Sequence, residues 1–406
     1  MSLTRSVRRG GPGRAAPASG HNGGVTVDSR APHLLVHPGW ELFGSDRMLL
    51  ETAAALRERG ERVVVALPQR GPLVDELQAL GAQVLLPPMF VLRKSSLRPR
   101  NWLRSARDAI RGLAASIAIV TRLRPRSIYV STIVLPTWPL VGRLSGIPTV
   151  THVHEAEASA SRWVNLALYA PHLAAHRVVA NSRFTLQTVR AVLPALARRA
   201  AVIPNGVTAP TDIPEPRSHV DRLRIGYVGR LSHRKGPDVA VEALAQLTAT
   251  GIEADLHLIG AAFVENAGYE QELRERAEVL GVGDRVSFLG FHSDVWPLLA
   301  RIDVLVVPSR QDESFGNTAV EGVLAARPVV ASDIPGLREA VGDYPSVAFT
   351  APGDPRELAG ALRAVVDGWE QRRADAVSDR AAALHRFAPA TYRRSAAEFL
   401  EVLASR

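Results

Sequence analysis

The sequence predicts an α/β protein made of two parallel-sheet domains in series. From His33 onward, short apolar runs rich in β-branched residues alternate with helical stretches, a pattern typical of parallel strands covered by helices on both faces. A polar, proline-rich segment at 208–221 interrupts this alternation, which then starts again. The length of 406 residues also exceeds what one hydrophobic core usually supports, so two domains are expected.

The first domain is predicted over residues 32–207, preceded by a basic tail over residues 1–31. The tail is rich in glycine and proline and lacks the apolar segment of a signal peptide, so we expect it to be disordered. Helices are predicted at about 46–59, 73–80 and 99–123. The predicted strands of this domain are HLLVH, RVVVALP, AQVLLP, SIYVST, PTVTHVH and RVVANS.

The second domain is predicted over residues 222–388, after a linker at 208–221. Its predicted strands are RIGYVG, ADLHLIG, RVSFLG, DVLVVPS, PVVAS and SVAFT. A last helix is predicted within residues 389–406, and we expect it to pack back on the first domain. Both domains are therefore Rossmann-like. Because ligands of such sheets bind beyond the carboxyl ends of the strands, we expect the site in a central cleft between the domains.

Composition favours an anionic partner and excludes several kinds of site. The formal net charge is +9 and comes almost entirely from arginine, since Lys94 and Lys235 are the only lysines. This charge suits sugar nucleotides or acidic lipid headgroups. The sequence has no interleaved aromatic and basic residues of the kind that would indicate a nucleic-acid partner. The absence of cysteine excludes disulfides, thiolate metal sites and a cysteine nucleophile, and it suits the cytoplasm. No apolar run approaches the ~20 residues that span a bilayer.

A basic loop follows the first predicted strand of the second domain. In GYVGRLSHRKGPDVAVEAL, residues 226–244, the strand ends near Gly229 and a helix begins near Pro237. Arg230 and Lys235 therefore extend from the carboxyl edge of the sheet, where paired cations can neutralise a diphosphate. A solvated basic turn explains the same residues about equally well.

The stretch DESFGNTAVEGVLAARPVVAS, residues 312–332, places two carboxylates around a helix start. We predict that Gly316, Asn317 and Thr318 offer free backbone amides to an anion. Glu321, about one turn into the helix, is suited to ribose hydroxyls, and Glu313 can reach a sugar beyond the phosphates. Helix capping, worth about 0.3–1 kcal/mol, is the alternative for Glu313 but leaves Glu321 unexplained.

Together with further motifs in order along the chain, these stretches resemble the retaining glycosyltransferases of family 4, which have the GT-B fold. The resemblance spans nearly the whole chain from about residue 33. It is carried by the E-x7-E spacing, the GRL…KG loop, VIPNGV at 202–207, GFHSDVWPLLARIDVLVVPS, FGSDRMLLETAAALRERG and HVHE at 152–155.

The resemblance implies a role for each candidate residue. Arg230 and Lys235 are then the diphosphate clamp, and Glu313 contacts the hydroxyls of the donor sugar. The backbone amides of Phe315 and Gly316 face sugar and phosphate. Finally, Glu321 is the ribose ligand, His154 lies near the reacting sugar, and Gly44 lets the backbone approach the donor phosphate.

The chain departs from the family pattern at the first helix. It has Phe43 before Gly44, where two glycines are common, and Asp46 where glutamate is usual. The bulky Phe43 is expected to narrow the site. A hydrogen-bonded core histidine remains the alternative for His154, because other histidines also end strands.

The implied reaction moves a sugar from a nucleoside-diphosphate donor to a glycan or lipid-linked acceptor, with retention of configuration. It serves cell-envelope, exopolysaccharide or glycolipid synthesis. Neither a cofactor nor a metal is expected, since the sequence shows no zinc spacing and no Asp-x-Asp motif at a strand end. A sugar-nucleotide epimerase and a catalytically silent sugar-nucleotide-binding partner are the alternatives. A Rossmann dehydrogenase is excluded because no G-x-G-x-x-G follows the first strand.

A basic amphipathic segment at 89–113 suggests how a lipid-linked acceptor is reached. Apolar and arginine side chains fall on different faces of its helix, as in helices that lie on anionic membrane. The protein would then be peripheral on the inner face of the plasma membrane. An ordinary helix that packs its apolar stripe on the sheet is the alternative. The apolar positions are Trp102, Leu103, Ala106, Ile110 and Leu113, and the basic ones are Arg100, Arg104, Arg107 and Arg111.

Overall fold

The fold is described from a computed structural model over residues 31–93, 96, 99–155, 161–262 and 268–404. The tail predicted over 1–31 lies outside this part of the chain except for residue 31, and so do four residues of the 89–113 segment. The described residues belong to one compact unit.

The first sheet has seven parallel strands, and we call the part of the chain around it the first lobe. The strand order is β3-β2-β1-β4-β5-β6-β7, with these bounds: β1 (His33–Val36), β2 (Val63–Ala66), β3 (Gln83–Leu85), β4 (Ser127–Val130), β5 (Thr149–Val153), β6 (Arg177–Ala180) and β7 (Ala200–Val202). Its helices are α1 (Gly44–Glu58), α2 (Pro72–Ala79), α3 (Trp102–Leu123), α4 (Thr137–Leu144), α5 (Arg162–Tyr169), α6 (Arg183–Val192) and α7 (Pro194–Ala197).

The second sheet has six parallel strands, and the chain around it is the second lobe. The strand order is β10-β9-β8-β11-β12-β13, with these bounds: β8 (Leu223–Val228), β9 (Ala254–Ile259), β10 (Val286–Gly290), β11 (Val304–Val307), β12 (Val329–Ser332) and β13 (Val347–Thr350). The helices after β8 are α8 (Pro237–Ala249), α9 (Tyr269–Val279), α10 (Trp296–Leu299), α11 (Asn317–Leu324), α12 (Pro335–Val341), α13 (Pro355–Asp367), α14 (Trp369–Arg386) and α15 (Pro389–Ala404).

The predicted α/β fold with two Rossmann-like sheets is confirmed. Both sheets have the doubly wound order, in which the chain reverses direction across the sheet next to its first strand. β1 pairs with β2 on one side and with β4 on the other; in the two registers, His33 lies opposite Val63 and opposite Ser127. Its four residues are fully buried, as expected for a central strand covered on both faces. In this architecture ligands bind at the reversal points, β1/β4 and β8/β11.

The segment predicted as a linker at 208–221 is held along the second lobe by arginine side chains. Nη2 of Arg380 donates to the backbone carbonyl of Pro210 at 2.9 Å, and Nε of Arg373 donates to that of Pro216 at 3.0 Å. Arg327, itself 1% exposed, donates to the carbonyl of Pro214 at 2.9 Å. These bonds satisfy carbonyls of a segment that has no helix or strand of its own.

The last helix, α15, packs against α1 and contributes to the core of the first lobe. Tyr392 is buried, and its hydroxyl lies 2.7 Å from Oγ1 of Thr52 on α1. Next to the point where α15 begins, the amide of Val207 donates to the carbonyl of Phe387 at 2.9 Å. The two chain segments that pass between the lobes therefore run side by side.

Helix α3 turns its apolar stripe outward. Leu103 is 90% exposed, Ile110 68% and Trp102 61%. The helix contacts the first lobe through other residues: Gly112, Ser116 and Val120 are buried, and a Cβ on Gly112 would meet the backbone nitrogen of Phe90 at 2.6 Å. The alternative in which this stripe packs on the sheet is therefore wrong. No helix in the described part of the chain is long and apolar enough to cross a membrane.

Candidate active site in the cleft

The candidate residues follow strands at or next to the reversal points of the two sheets. In the second lobe, Arg230 and Lys235 follow β8, and Glu313 follows β11. In the first lobe, Gly44 begins the helix after β1, and His154 immediately follows β5. Because all these strands are parallel within their sheets, their carboxyl ends lie at one edge of each sheet.

Lys235 and Glu313 form an ion pair at the reversal point of the second sheet. Nζ of Lys235 lies 2.6 Å from Oε1 of Glu313, and both side chains are largely buried. The same oxygen accepts a hydrogen bond from Oγ of Ser309 at 2.8 Å, and Nη1 of Arg234 lies 3.4 Å away. Arg234 also donates to the backbone carbonyl of Asp312 at 2.8 Å.

A glycine lets the basic loop lie against the end of β11. Gly236 has φ +67°, and a Cβ there would come within 2.1 Å of the backbone oxygen of Pro308. Only glycine fits this close approach without displacing the backbone. Pro237 then begins α8, so Lys235 is held between a short 3₁₀ turn and a helix start.

Burial and mutual charge shift the titration of this cluster. Burial lowers the pKa of Lys235, an effect that the carboxylate of Glu313 partly offsets. Burial alone would raise the pKa of Glu313, but the positive charges of Lys235 and Arg234 outweigh it and hold that pKa below its usual value. Burial and the nearby Arg234 also lower the pKa of Arg230. Even so, an arginine stays protonated, and the cluster keeps a net positive charge.

Helix α11 begins at the cleft without a side-chain cap. Its N-cap is Gly316, with φ +96°, and a Cβ there would lie 2.4 Å from Cδ2 of Leu337. The first amides of the helix, those of Asn317 and Thr318, are thus available to an anion. Phe315 is buried and its ring meets that of Phe387 edge-on at 6.0 Å, so only its backbone can face a ligand.

Glu321 is half-buried one turn into α11, and its carboxylate has no hydrogen-bond partner among the described residues. Burial raises its pKa to about 7, although the positive charges of Arg47 and Lys235 oppose the shift. A carboxylate left unsatisfied in a cleft is costly unless a ligand supplies donors. Glu321 cannot cap the start of α11, because the helix begins four residues before it.

The N-termini of two helices from different lobes face each other. A Cβ on Gly44, the first residue of α1, would lie 3.0 Å from Nδ2 of Asn317, the first residue of α11. Asn205, near the end of the first lobe, donates from Nδ2 to Oδ1 of Asn317 at 2.9 Å. Two helix N-termini directed at one place favour a ligand of high negative charge.

A buried histidine–aspartate pair fixes the loop before α1. Nε2 of His37 lies 2.5 Å from Oδ1 of Asp46, whose other oxygen accepts the amide of Phe43 at 2.9 Å. A Cβ on Gly39 would lie 2.2 Å from Oδ1 of Asp46, the oxygen that contacts His37, so glycine is required there. The ring of Phe43 meets the ring of Phe291 of the second lobe edge-on at 5.3 Å. Phe43 thus contacts the second lobe across the cleft.

His154 lies in the cleft with a buried, unpaired Nε2 among the described residues. Its ring lies 3.9 Å from that of His152. Burial, with His152 and His37 close by, lowers its pKa well below the usual value, so the imidazole is neutral at pH 7. Its backbone amide donates to Oε2 of Glu155 at 3.1 Å, and burial raises the pKa of Glu155 to about 7.

Two family descriptions match the chain in succession. The first, "Glycosyltransferase Family 4", matches residues 44–209, and the second, "Glycosyl transferases group 1", matches residues 209–378. The chain belongs to the family 4 glycosyltransferases. The boundary between the two matches falls at the start of the segment that joins the lobes.

Curated relatives of this family member match part of its length. A 2-deoxystreptamine glucosyltransferase of Streptomyces kanamyceticus is 30% identical over 56% of this chain and 64% of its own length. A D-inositol 3-phosphate glycosyltransferase of Geodermatophilus obscurus is 33% identical over 47% of this chain and 46% of its own. The chain thus covers less than two thirds of these relatives.

A solved structure matches nearly the whole chain. The Anabaena protein HepE, in complex with UDP and glucose, superposes with a TM-score of 0.76 at 24% identity, over 92% of this chain and all of that one. This likeness shows the GT-B fold, in agreement with the fold predicted from the sequence.

Sequence reasoning missed several side chains that complete the site. Arg234 and Ser309 hold Glu313, and Asn205 holds Asn317. Arg234 lies in the same basic loop as Arg230 and Lys235, so its position in the sequence could have indicated it. No sequence pattern indicates Ser309. His37 and Asp46 are nine residues apart and meet only because the chain turns back after β1.

No group of three or more His, Asp or Glu side chains suited to a metal ion occurs in residues 31–93, 96, 99–155, 161–262 and 268–404. The positive charge of the cleft is instead carried by Arg230, Arg234 and Lys235.

Proposed function

We propose that this glycosyltransferase moves a sugar from a nucleoside-diphosphate donor to a glycan or lipid-linked acceptor, with retention of configuration and without a metal. Such products belong to cell-envelope polysaccharide, exopolysaccharide or glycolipid synthesis. The observation that carries the proposal is the buried Lys235–Glu313 pair, 2.6 Å apart, beside the uncapped start of α11. Fixed cations and helix amides suited to a diphosphate then lie beside a carboxylate suited to sugar hydroxyls.

The donor is oriented by groups of opposite charge. Lys235 and Arg230 take the diphosphate, and the amides of Gly316 and Asn317 contact its oxygens. Glu313 accepts hydrogen bonds from the hydroxyls of the sugar, and Glu321 accepts those of the ribose. The Anabaena neighbour is bound to UDP and glucose, which supports a nucleotide-sugar donor for this chain.

Catalysis in this proposal is electrostatic. The bond between the anomeric carbon and the β-phosphate oxygen breaks first, which leaves an oxocarbenium-like sugar and a diphosphate of increased negative charge. The acceptor hydroxyl then attacks from the same face and gives its proton to the departing phosphate. Arg230, Lys235 and the α11 amides stabilise the leaving group, and one such preorganised donor contributes about 3–4 kcal/mol. Fixed cations at the diphosphate take the place of a metal ion.

His154 is suited to contact the reacting sugar. Its buried Nε2 lacks a partner among the described residues, and a neutral imidazole can donate to, or accept from, a sugar hydroxyl. The backbone amide of His154 is hydrogen-bonded to Glu155, and this bond helps to fix the backbone that carries the imidazole.

The donor is best identified by thermal shift against a panel of UDP-, GDP- and other nucleotide sugars, followed by assays for hydrolysis and transfer. A donor at 100 times its Kd should raise the free energy of unfolding by about 2.7 kcal/mol. Binding with turnover supports the proposal. Binding without any turnover favours the silent-partner alternative, and no binding by any sugar nucleotide refutes the proposal.

We further propose that α3 docks on anionic membrane, where a lipid-linked acceptor is found. Leu103 and Ile110 are exposed, and the exposed Arg104, Arg107 and Arg111 on the same helix complement anionic headgroups. Together the apolar and basic side chains form the pattern of a helix that lies in the membrane interface.

Co-sedimentation with vesicles tests this docking. Binding should rise with the fraction of anionic lipid, and the double substitution Leu103→Glu, Ile110→Glu should abolish it. Val402→Glu is the matched control, because Val402 is a 57% exposed apolar residue on α15. Equal binding by the double variant, or binding that ignores lipid charge, refutes the membrane surface.

A further inference from the structure

The start of helix α6 in the first lobe is capped by a carboxylate of the second lobe. The backbone amide of Arg183 donates to Oε1 of Glu339 at 2.6 Å, and that of Phe184 donates to Oε2 at 2.8 Å. The third amide, that of Thr185, is taken by the helix's own N-cap, Ser182, at 2.9 Å. The first two amides of α6 therefore have a carboxylate of the opposite lobe as their acceptor.

The same helix start also holds the loop that carries Glu313. We call residues 312–316 the donor loop. The hydroxyl of Ser182 donates to the backbone carbonyl of Ser314, and Nδ2 of Asn181 donates to the Ser314 hydroxyl at 3.2 Å. Ser314 directly follows the carboxylate that pairs with Lys235, so α6 contacts the donor loop one residue from the candidate sugar ligand.

Helix α12, which carries Glu339, supports the donor loop from the other side. A Cβ on Gly336 would come within 1.8 Å of the backbone oxygen of Glu313, and one on Gly316 within 2.4 Å of Leu337. The donor loop is thus held between α12 of its own lobe and α6 of the opposite lobe. Glu339, three residues after Gly336, extends past the loop to the α6 amides.

We propose that Glu339 is a positioning residue: it latches the two lobes together and thereby fixes the donor loop in its working geometry. When the lobes separate, the α6 amides lose their carboxylate and Ser314 loses its partners in the first lobe. The donor loop is then held from one side only. This inference rests on the proposed function, because it takes Glu313 and the amides after it as the groups that meet the donor.

The latch acts after donor binding rather than on it. The cations of the basic loop and the α11 amides belong to the second lobe, so a nucleotide can bind there with the lobes apart. Closure then brings the first-lobe residues to the sugar and excludes water. Loss of the latch should therefore lower kcat and increase hydrolysis of the donor relative to transfer, with little change in donor KM.

The test uses Glu339→Gln, which keeps the shape of the side chain and removes its charge. Glu357→Gln is the matched control, since Glu357 accepts an amide, that of Ala351, within its own lobe. The chain has no cysteine, so spin labels on Arg122→Cys in the first lobe and Glu278→Cys in the second report the distance between lobes without background labelling. Distances are measured without nucleotide and with UDP or GDP, alongside melting temperature.

With nucleotide bound, we expect the wild type and Glu357→Gln to share one short distance. Glu339→Gln should shift toward longer distances and lose about tenfold in kcat at a similar donor KM. An unchanged distance distribution in Glu339→Gln overturns the latch, whether or not kcat falls, because the residue would then act without joining the lobes. If the wild type turns over no donor, the proposed function fails, and the distances still decide the latch.

Discussion

Replacing Lys235 by alanine tests the electrostatic mechanism most directly. Lys235 is the sole lysine of the described chain, and its Nζ lies 2.6 Å from Oε1 of Glu313 at the position where the diphosphate is expected. Removal of one preorganised donor from such a site costs about 3–4 kcal/mol of transition-state stabilisation, or roughly 100- to 1,000-fold in turnover. Arg230 and the α11 amides remain, so turnover should fall without disappearing.

The fold should survive this substitution. Glu313 keeps the hydroxyl of Ser309 at 2.8 Å and the guanidinium of Arg234 at 3.4 Å. The lost ion pair therefore costs less than the ~3–5 kcal/mol typical of a buried charge left alone, and more than the ~0–1 kcal/mol of a surface pair. With the nearest positive charge gone, the pKa of Glu313 should rise toward its usual value.

The assay compares kcat for wild type, Lys235→Ala and the double variant Lys235→Ala, Glu313→Gln, with melting temperature measured in parallel. Removal of the carboxylate charge that has lost Lys235 should recover stability in the double variant and leave turnover low. Lys235→Ala with the turnover of the wild type and the same melting temperature would refute the clamp. Recovery of turnover in the double variant would show that only the charge of Glu313 without Lys235 had mattered.

Three other predictions follow from the site. Because Glu321 has a pKa of about 7 and ribose hydroxyls need its ionised form, nucleotide affinity should fall about tenfold between pH 8 and pH 6, and Glu321→Gln should show a flat titration by calorimetry. Between the usual pKa of glutamate and pH 7, the folded state keeps a proton on Glu321 that the unfolded chain has released. The free energy of unfolding therefore falls as pH rises toward 7. Because glutamine carries no charge, Glu321→Gln should raise the melting temperature at pH 8. A Cβ on Gly44 would contact only the amide end of the Asn317 side chain, at 3.0 Å. Gly44→Ala should therefore keep the melting temperature of the wild type and lower kcat/KM about tenfold. Unchanged kinetics would show that Gly44 does not lie beside the diphosphate. Chelation with EDTA should leave turnover within about twofold, whereas loss that added Mg²⁺ or Mn²⁺ restores would contradict a metal-free mechanism.

The fold could be predicted from sequence because its signal is local. Each buried strand reads as a continuous apolar run, and the helix predicted at 46–59 is observed at Gly44–Glu58, since Asp46 caps its start. For α3 the sequence showed an apolar and a basic face but not which side of the helix is covered. The buried residues are Gly112, Ser116 and Val120, and their burial depends on packing against the rest of the lobe.

The candidate site could be predicted in part for a related reason. Parallel-sheet topology brings the loops after β8 and β11 to one edge of the sheet, so Lys235 and Glu313 could be assigned to one site from sequence position; their ion pair is seen only in the structure. The partners that fix them depend on close packing, which no local pattern encodes. Glu339 and Arg183 belong to different lobes, and their contact depends on how the lobes close.

The charges of the cleft explain why closure and chemistry belong together. Before a donor binds, Lys235 is neutralised by Glu313, which keeps the basic loop compact while both groups are buried. In the proposed mechanism, a bound diphosphate would bring negative charge to Lys235 and sugar hydroxyls to Glu313, so each member of the pair would gain a second partner on the substrate. Since Ser314 next to Glu313 is held by α6, the orientation of that carboxylate would depend on the first lobe. On this proposal a donor is bound by one lobe, and its sugar is aligned for transfer by both.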